Sequence, residues 1–278
     1  MVRLACLFVV MVACQPPREP EGPRPPDPDS SRWKDPINKR DLPVLRQIVE
    51  STLKELIAAM PEGRRLGLEY LQLEISDRAG AVNAFATCSG SEPLIGISEG
   101  LITIAARLAT SKALDEILET DATRDLMREV SAPEPVANTT PYDLDRDKLG
   151  RQHMWFVEQI AFALGHELAH HSLSHLSCTS HGDALGSVGQ LLPVFAQATE
   201  LEADAEAVRN LLAVRRDQHG YAWTENGAIL VLQMFKAQRE RSVHDIIFAF
   251  EQTHPPPEVR IPVVITTAEI WNATDGRL

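Results

Sequence analysis

The chain has 278 residues, of which 44% are hydrophobic and 5% aromatic. This is enough for one large domain or two small ones with a helix-rich core. The formal net charge of -12 argues against nucleic acid as a partner, because a phosphate-binding surface needs clustered lysine and arginine.

The first fourteen residues have the pattern of an export signal. Arg3 supplies a positive start, and an apolar stretch from Leu4 to Ala13 follows it. About ten apolar residues are too few to span a bilayer, which needs roughly 20. We therefore expect residues 1–14 to be a signal peptide.

The end of this signal, Val12-Ala13-Cys14, resembles the lipobox at which bacterial lipoproteins are cleaved and acylated on the cysteine, although Met11 stands where leucine is usual. An ordinary secretory signal is the alternative. Lipidation of Cys14 would anchor the protein in the bacterial cell envelope, and Gln15 favours the periplasmic face of the outer membrane.

Residues 15–40 are predicted to be a disordered tether. Seven prolines between Pro16 and Pro28 are interleaved with charged residues. Such a composition can neither form a helix nor bury a core, so the segment should be extended and solvated. It would hold the folded domain, residues 41–278, off a membrane surface.

The folded domain begins with a predicted amphipathic helix, because apolar residues recur at helical spacing from Leu42 to Met60 and Pro61-Glu62-Gly63 ends the run. Rough alternation of apolar and polar residues then predicts strands at residues 66–75 and 81–87, with a third at Leu94 to Ile97. We expect these strands to form one small sheet.

A second core helix is predicted from Ser98, a candidate N-cap, through Arg107. Residues 110–148 are first strongly charged and then rich in proline, which indicates a helix followed by a long loop. We interpret this segment as an insertion. It can be a lid over a cleft or a plain surface excursion.

The sequence His166-Glu167-Leu168-Ala169-His170 ends an apolar run that begins near Trp155. In a helix the two histidines lie one turn apart on one face, so both can reach one divalent metal with Glu167 beside them. A hydrolytic zinc site uses three protein ligands and keeps a position open for water. By itself the motif also fits two helix-surface histidines with an intervening acid.

A third ligand is predicted on a helix at residues 197–212. Glu200 and Asp204 share one face of that helix, whereas Glu202 points nearly opposite. This favours Glu200 as the ligand and Asp204 as the acceptor for the free N–H of a ligand histidine. Glu202 is then a solvated or structural charge. Alone, the Glu200 and Asp204 pair would fit a solvated acidic face, but together the two motifs complete one coordination shell.

The combination His166-Glu-x-x-His170 and Glu200-x-x-x-Asp204 resembles the zinc metallopeptidases of the HtpX and CAAX-prenyl-protease type, metallopeptidase family forty-eight, whose members are gluzincins. Three further stretches agree: Asn83-Ala84-Phe85-Ala86, Glu99-Gly100-Leu101, and Thr253-His254-Pro255-Pro256 leading to Arg260. The resemblance covers roughly Leu42 to Ile270. It implies an α+β, mainly helical fold with a small antiparallel sheet and an HExxH active-site helix.

The resemblance also implies the roles of single residues. One zinc ion would be held by His166, His170 and Glu200. Glu167 would be the general base, and Asp204 would support a ligand histidine.

Two further assignments come from the same resemblance. Asn83, Ala84, Phe85 and Ala86 would form an active-site edge strand that binds an extended peptide by backbone pairing, although a plain buried strand is the alternative. His254 would be a tentative catalytic residue that steadies the oxyanion, with the ordering of a proline-rich turn as its alternative.

The sequence departs from the family in two respects. Membrane-integral members carry several transmembrane helices, whereas no run after the signal approaches a spanning length, which favours the soluble, lipoprotein-like branch. The insertion at residues 110–148 also separates helices that follow each other closely in the family. One more histidine, His175, is five residues past His170 and is predicted to face away from the metal in a structural or exposed role.

The cysteines fit an exported protein. Cys6 leaves with the signal and Cys14 would carry lipid, which leaves Cys88 and Cys178 in an oxidising compartment. Both residues flank the same predicted cleft, after the edge strand and after the metal-binding helix. We predict a disulfide between them, with two unpaired buried thiols as the alternative.

These features predict a zinc-dependent endopeptidase that acts on a peptide or unfolded protein, in quality control or processing in the cell envelope. Zinc would lower the pKa of water, and Glu167 would accept the proton as the water attacks the scissile carbonyl. A different class stays open: a catalytically silent, zinc-containing binding or assembly lipoprotein.

Overall fold

The structure is a computed structural model that describes residues 35–77, 82–131, 146–176, 178, 193–214, 222–241 and 254–277. Within these ranges the fold is mainly helical with one small sheet, which confirms the predicted α+β class. The predicted signal peptide, the lipidation site Cys14 and most of the predicted tether lie outside the described residues. So does the proline-rich part of the predicted insertion, at residues 132–145.

The described chain is folded from Asp35, within the segment predicted to be a disordered tether. Helix α1, Pro36–Lys39, is capped by the Asp35 carboxylate, which accepts hydrogen bonds from the backbone N–H groups of Ile37 and Asn38. Ile37 is buried in the core with 1% exposure. The end of the predicted tether therefore belongs to the folded domain, because the side chain of Ile37 packs in the hydrophobic core.

Two further helices follow α1. Helix α2, Leu42–Ala59, buries the predicted apolar face of its first turns and centre. Helix α3, Glu62–Arg65, is a single turn after Pro61. The chain then runs irregularly to the sheet, so the strand predicted from residue 66 starts later; Leu66 and Tyr70 are both 72% exposed.

The sheet has three strands in the order β1-β3-β2: β1 is Gln72–Ser76, β2 is Ala84–Ser89 and β3 is Glu92–Ser98. Strands β2 and β3 form an antiparallel hairpin, which agrees with the predicted antiparallel sheet. The prediction of a wholly antiparallel sheet is wrong for β1 and β3, which pair in parallel. Strand β3 lies between β1 and β2. Its apolar residues are buried because it is the central strand, whereas β2 lies at an edge of the sheet.

Helix α4, Glu99–Leu118, starts at the predicted cap, where the Ser98 hydroxyl accepts a hydrogen bond from the Leu101 N–H. It does not end near Arg107 as predicted but continues for three more turns, because Leu108, Ala113 and Leu114 remain buried. Helix α5, Ala122–Ser131, follows. The first part of the segment interpreted as an insertion is thus part of the helical core.

Helix α6, Arg146–Ser172, runs through the middle of the domain, and its residues from Met154 to His170 are buried. It packs against α7, Pro193–Val214, and against α8, Asn226–Arg241. Helix α9, Pro257–Thr274, covers α7 and α8. In the described ranges, none of the helices combines the length and the apolar character that crossing a membrane requires.

Candidate metal centre

The end of α6 and the first half of α7 bring three predicted ligands together. The Nε2 atoms of His166 and His170 are 3.3 Å apart. Glu200 places Oε2 at 3.1 Å from His166 Nε2 and Oε1 at 3.4 Å from His170 Nε2. One turn of helix aligns the two imidazoles, and the close packing of α7 on α6 brings the carboxylate opposite them.

Small side chains permit this close packing. A Cβ built on Gly165 of α6 would lie 3.4 Å from the backbone and the side chain of Ala207 on α7. Two small residues therefore meet at the crossing, directly beside His166. The helices can approach closely, which puts Glu200 and Asp204 within reach of the imidazoles.

His254 adds a fourth donor to the cluster. Its Nε2 lies 3.2 Å from Glu200 Oε2 and 3.9 Å from Glu167 Oε1. One donor atom from each of His166, His170, Glu200 and His254 falls within 4.8 Å of the others. His254 was predicted near the site as a residue that steadies an oxyanion; the structure places it among the possible ligand atoms.

The outer nitrogen of His166 is held by a buried ion pair. His166 Nδ1 donates to Asp204 Oδ1 at 2.9 Å, and Arg260 in turn donates to both oxygens of Asp204, at 2.8 and 2.6 Å. Burial disfavours the Asp204 carboxylate, but the charge and hydrogen bonds of Arg260 outweigh it and hold the pKa of Asp204 well below its usual range. Sequence reasoning noted Arg260 only as part of a motif and gave it no role.

The outer nitrogen of His170 meets a residue that sequence reasoning placed elsewhere. His175 Nδ1 lies 3.2 Å from His170 Nδ1, so the prediction that His175 faces away from the metal is wrong. That prediction extended the helix, but α6 ends at Ser172 and Ser174 adopts φ +61°. The chain turns back, and Leu176 N–H bonds to the His170 carbonyl at 3.1 Å.

Glu202 lies beyond His175. Its Oε2 is 3.3 Å from His175 Nε2, and its side chain is 59% exposed. The predicted solvated or structural charge thus lies on the surface, but in contact with His175, which contacts the predicted ligand His170. Sequence spacing on a single helix could not reveal this contact, because it depends on the turn after α6.

Glu167 is 2% exposed, and its Oε1 has no hydrogen-bond partner among the described residues. Burial is the main cause that raises the pKa of Glu167, to about 7. The charge of Glu200 adds to this effect, whereas His166 and a hydrogen bond from the backbone of Ala86 oppose it. A carboxylate with a pKa near neutrality and an oxygen left open can both accept and release a proton.

Strand β2 passes beside Glu167. The Ala86 backbone bonds to the Glu167 carboxylate, and Ala84 is buried at 1% exposure. Asn83, just before β2, contacts the N-cap of α4, because its backbone N–H donates a hydrogen bond to the Ser98 hydroxyl at 3.0 Å. Phe85 is 38% exposed and its ring covers Gly96, where a Cβ would lie only 2.2 Å from it. Phe85 therefore occupies the face of the sheet, and the edge next to Glu167 is backbone.

Two cross-links fix this strand region to the end of α6. Cys88 at the end of β2 and Cys178 after α6 form a disulfide with a Cα–Cα distance of 5.5 Å. His171 Nε2 donates to the Leu94 carbonyl on β3 at 3.2 Å. The sheet and the end of α6 are therefore tied to each other beside the cluster.

The charges of the cluster fit a divalent cation. Burial and the charge of Arg260 oppose protonation of His166, but hydrogen bonds to Asp204 and Glu200 outweigh them and raise its pKa to about 9. Burial and the charge on His166 lower the pKa of His170 to about 3. Burial disfavours the Glu200 carboxylate, yet the hydrogen bond and charge of His166 lower its pKa to about 2. Two imidazoles and a carboxylate are donors that suit zinc.

Comparisons with known proteins identify one similarity. The model of peptidase family M48 matches residues 46–267, which is more than half of the chain. Neither the curated proteins nor the solved structures gave a match.

Proposed function

We propose that this chain, which belongs to peptidase family M48, is a zinc-dependent endopeptidase that cleaves extended peptide segments. The observation that carries the proposal is the convergence of His166, His170 and Glu200 around one point, with the buried Glu167 carboxylate beside it. The motif residues also resemble the HtpX and CAAX-prenyl-protease type within the family.

The residues that would hold zinc are His166, His170 and Glu200. Both histidines turn Nε2 toward the cluster and use Nδ1 for outer contacts, with Asp204 and with His175. A bound zinc ion supplies a Lewis acid that makes water acidic at neutral pH and polarises a carbonyl oxygen.

Glu167 would act as the general base. Its free Oε1 accepts a proton from the attacking water, and a pKa of about 7 lets the same carboxyl group pass that proton to the leaving amine. The buried position also excludes bulk water, which would otherwise compete for the proton.

Strand β2 would bind the substrate. It is one of the two edge strands of the described sheet, and its backbone runs past Glu167 at Ala86. An extended peptide added to this edge would form backbone hydrogen bonds whatever its side chains, which suits an unfolded protein as substrate. The role of Asn83 at the start of the strand is to fix its direction relative to α4.

The cellular setting is a proposal from the amino-terminal sequence. A lipid on Cys14 and the proline-rich segment after it would tether the enzyme to the cell envelope, at the periplasmic face of the outer membrane. Quality control or processing of envelope proteins is the work that such a location and such a site would serve.

The position of His254 favours one second candidate, a catalytically silent zinc-binding protein of the envelope. As a fourth ligand, His254 would close the position that a hydrolytic site keeps open. As a donor beside the site, it would instead steady the oxyanion. Zinc affinity separates the two roles, since His254→Ala weakens zinc binding only if His254 is a ligand.

The proposal is tested with the soluble domain and a labelled unfolded protein, with and without a zinc chelator. We expect chelator-sensitive cleavage by the wild type. Glu167→Gln should keep zinc and lose cleavage by a factor of at least about 10², whereas His166→Ala should lose both. Normal cleavage by Glu167→Gln would refute the assignment of the base, and zinc binding without any cleavage would support the silent binder.

A further inference from the structure

We propose that His175 is a positioning residue that fixes the metal-binding form of His170, and that Glu202 orients His175. The inference rests on the proposed function, because it concerns how His170 would present a nitrogen to zinc. It assigns a task to two residues outside the ligand set, and it makes the turn after α6 part of the metal site.

The first step concerns the two nitrogens of His170. Nε2 faces the cluster, at 3.3 Å from His166 Nε2 and 3.4 Å from Glu200 Oε1. A neutral imidazole carries one hydrogen, so a histidine that binds metal through Nε2 must carry it on Nδ1. The group that accepts the hydrogen on Nδ1 therefore determines which tautomer of His170 is favoured.

The second step follows the hydrogen outward. His175 Nδ1 is 3.2 Å from His170 Nδ1 and can accept its N–H. His175 must then carry its own hydrogen on Nε2, which lies 3.3 Å from Glu202 Oε2. The Glu202 carboxylate accepts this hydrogen. One assignment of hydrogens therefore satisfies all three side chains and leaves His170 Nε2 bare for a cation.

The third step concerns the backbone, whose turn after α6 brings His175 against His170. The αL conformation of Ser174 and the bond from Leu176 N–H to the His170 carbonyl fold the chain back over the end of α6. Cys178, just beyond, is fixed to β2 by the disulfide. His175 is thus held at both ends of a short segment, and only 10% of its side chain is exposed.

The two ligand histidines are supported in different ways. His166 contacts a buried carboxylate that is itself held by Arg260, whereas His170 contacts the imidazole of His175, which is backed by an exposed carboxylate. Outer contacts of this kind change metal affinity by about 10- to 100-fold. We expect His175 to fall in that range and Glu202 below it, since water can partly replace an exposed acceptor.

The test measures zinc affinity by competition with a zinc-binding dye, in the purified domain. His175→Phe keeps an aromatic ring but removes the acceptor, and it should weaken zinc binding by about 10- to 100-fold. His175→Asn places an amide oxygen near the position of Nδ1, and it should recover binding to within about threefold of the wild type if the acceptor is what matters. Glu202→Ala should weaken binding by less than about tenfold. Glu206→Ala, on the same helix but paired with Arg209, is the matched control and should leave affinity unchanged.

Thermal unfolding of the zinc-free variants separates positioning from plain structure. Equal midpoints with different zinc affinities support the proposal. Wild-type zinc affinity in His175→Phe overturns the proposal. The proposal is also overturned if His175→Phe and His175→Asn lose zinc affinity equally and both are less stable than the wild type. A wild type that binds no zinc refutes the proposed function itself, and that result is distinct from both.

Discussion

Arg260 on α9 donates hydrogen bonds to both carboxylate oxygens of Asp204 on α7, and the two side chains are 1% and 0% exposed. This pair joins the last helix of the domain to the helix that carries Glu200. It also keeps Asp204 ionised, so that Asp204 can accept the hydrogen of His166. One ion pair thus links the packing of helix α9 to the hydrogen bond of the proposed metal ligand His166.

Arg260→Met should therefore lower the free energy of unfolding of the zinc-free domain by about 3–5 kcal/mol, because it leaves a buried carboxylate without its cation. Denaturant unfolding measures the loss. The matched control is Arg209→Met, whose partner Glu206 is 3.1 Å away but whose side chain is 38% exposed; it should cost less than about 1 kcal/mol.

A double variant keeps this prediction testable if Arg260→Met does not fold. Replacing the pair together, as Asp204→Leu with Arg260→Met, removes both charges and should recover part of the stability. It should still bind zinc more weakly than the wild type, because His166 loses its acceptor. If Arg260→Met and Arg209→Met lose similar amounts of unfolding free energy, the role given to Arg260 is contradicted.

Zinc should stabilise the folded protein. At a free zinc concentration of about 100 times the dissociation constant, binding adds about 2.7 kcal/mol to the free energy of unfolding. The midpoint of thermal unfolding should rise with zinc and fall back with a chelator. Calcium, which prefers all-oxygen sites, should have no such effect. His166→Ala should show no zinc-dependent rise, and a rise of wild-type size in this variant would place the ion elsewhere.

Glu158 lies on α6, two turns before the proposed ligand His166, and is fully buried. Its Oε1 accepts hydrogen bonds from the N–H of Thr224 at 2.6 Å and from the Thr224 hydroxyl at 3.0 Å. Oε2 has no partner among the described residues. Burial outweighs the hydrogen bonds from Thr224 and raises the pKa of Glu158 to about 8.

A raised pKa makes stability depend on pH. Between the ordinary value of 4.5 and about 8 the folded protein holds a proton that the unfolded chain has released, so stability falls as pH rises through this window and levels off above it. Glu158→Gln cannot titrate. The difference in unfolding free energy between wild type and Glu158→Gln should therefore shift in favour of the variant from pH 5 to about pH 8. A difference that is constant with pH would show that Glu158 is already ionised.

Gly227, at the start of α8, should not tolerate a side chain. A Cβ there would lie 2.3 Å from Glu158 Cβ and 2.7 Å from the Glu158 backbone carbon. Gly227→Ala should cost about 1–3 kcal/mol in denaturant unfolding, since α6 or α8 must shift. Gly165→Ala is the matched helical control. Its new methyl group meets Ala207 at an ordinary 3.4 Å, and its helix propensity improves by up to about 1 kcal/mol.

Most of the correct predictions depended on the spacing of residues within a single helix. The pairs His166 with His170 and Glu200 with Asp204 each lie on one helix, where a separation of four residues determines the shared face. The structure brings these pairs together. The cap at Ser98 is likewise local, and the hydroxyl does accept from Leu101 N–H.

The parts that were missed depend on distant contacts. Arg260 pairs with a residue 56 positions away, and nothing in its neighbourhood marks it as buried except that it lies between Pro257 and Pro262 in an apolar helix. His175 was misplaced because helical spacing stops at Ser172 and a single αL residue redirects the chain. The parallel pairing of β1 with β3 was missed because alternation identifies strands but not their neighbours.

The disulfide between Cys88 and Cys178 has a consequence for the survival of the enzyme. A peptidase works among copies of itself, and its own edge strand already has the extended form that the site is proposed to bind. One end of β2 is fixed covalently to the segment after α6, which restricts how far the strand can leave the sheet. We expect this bond to oppose cleavage of β2 by a second copy of the protein.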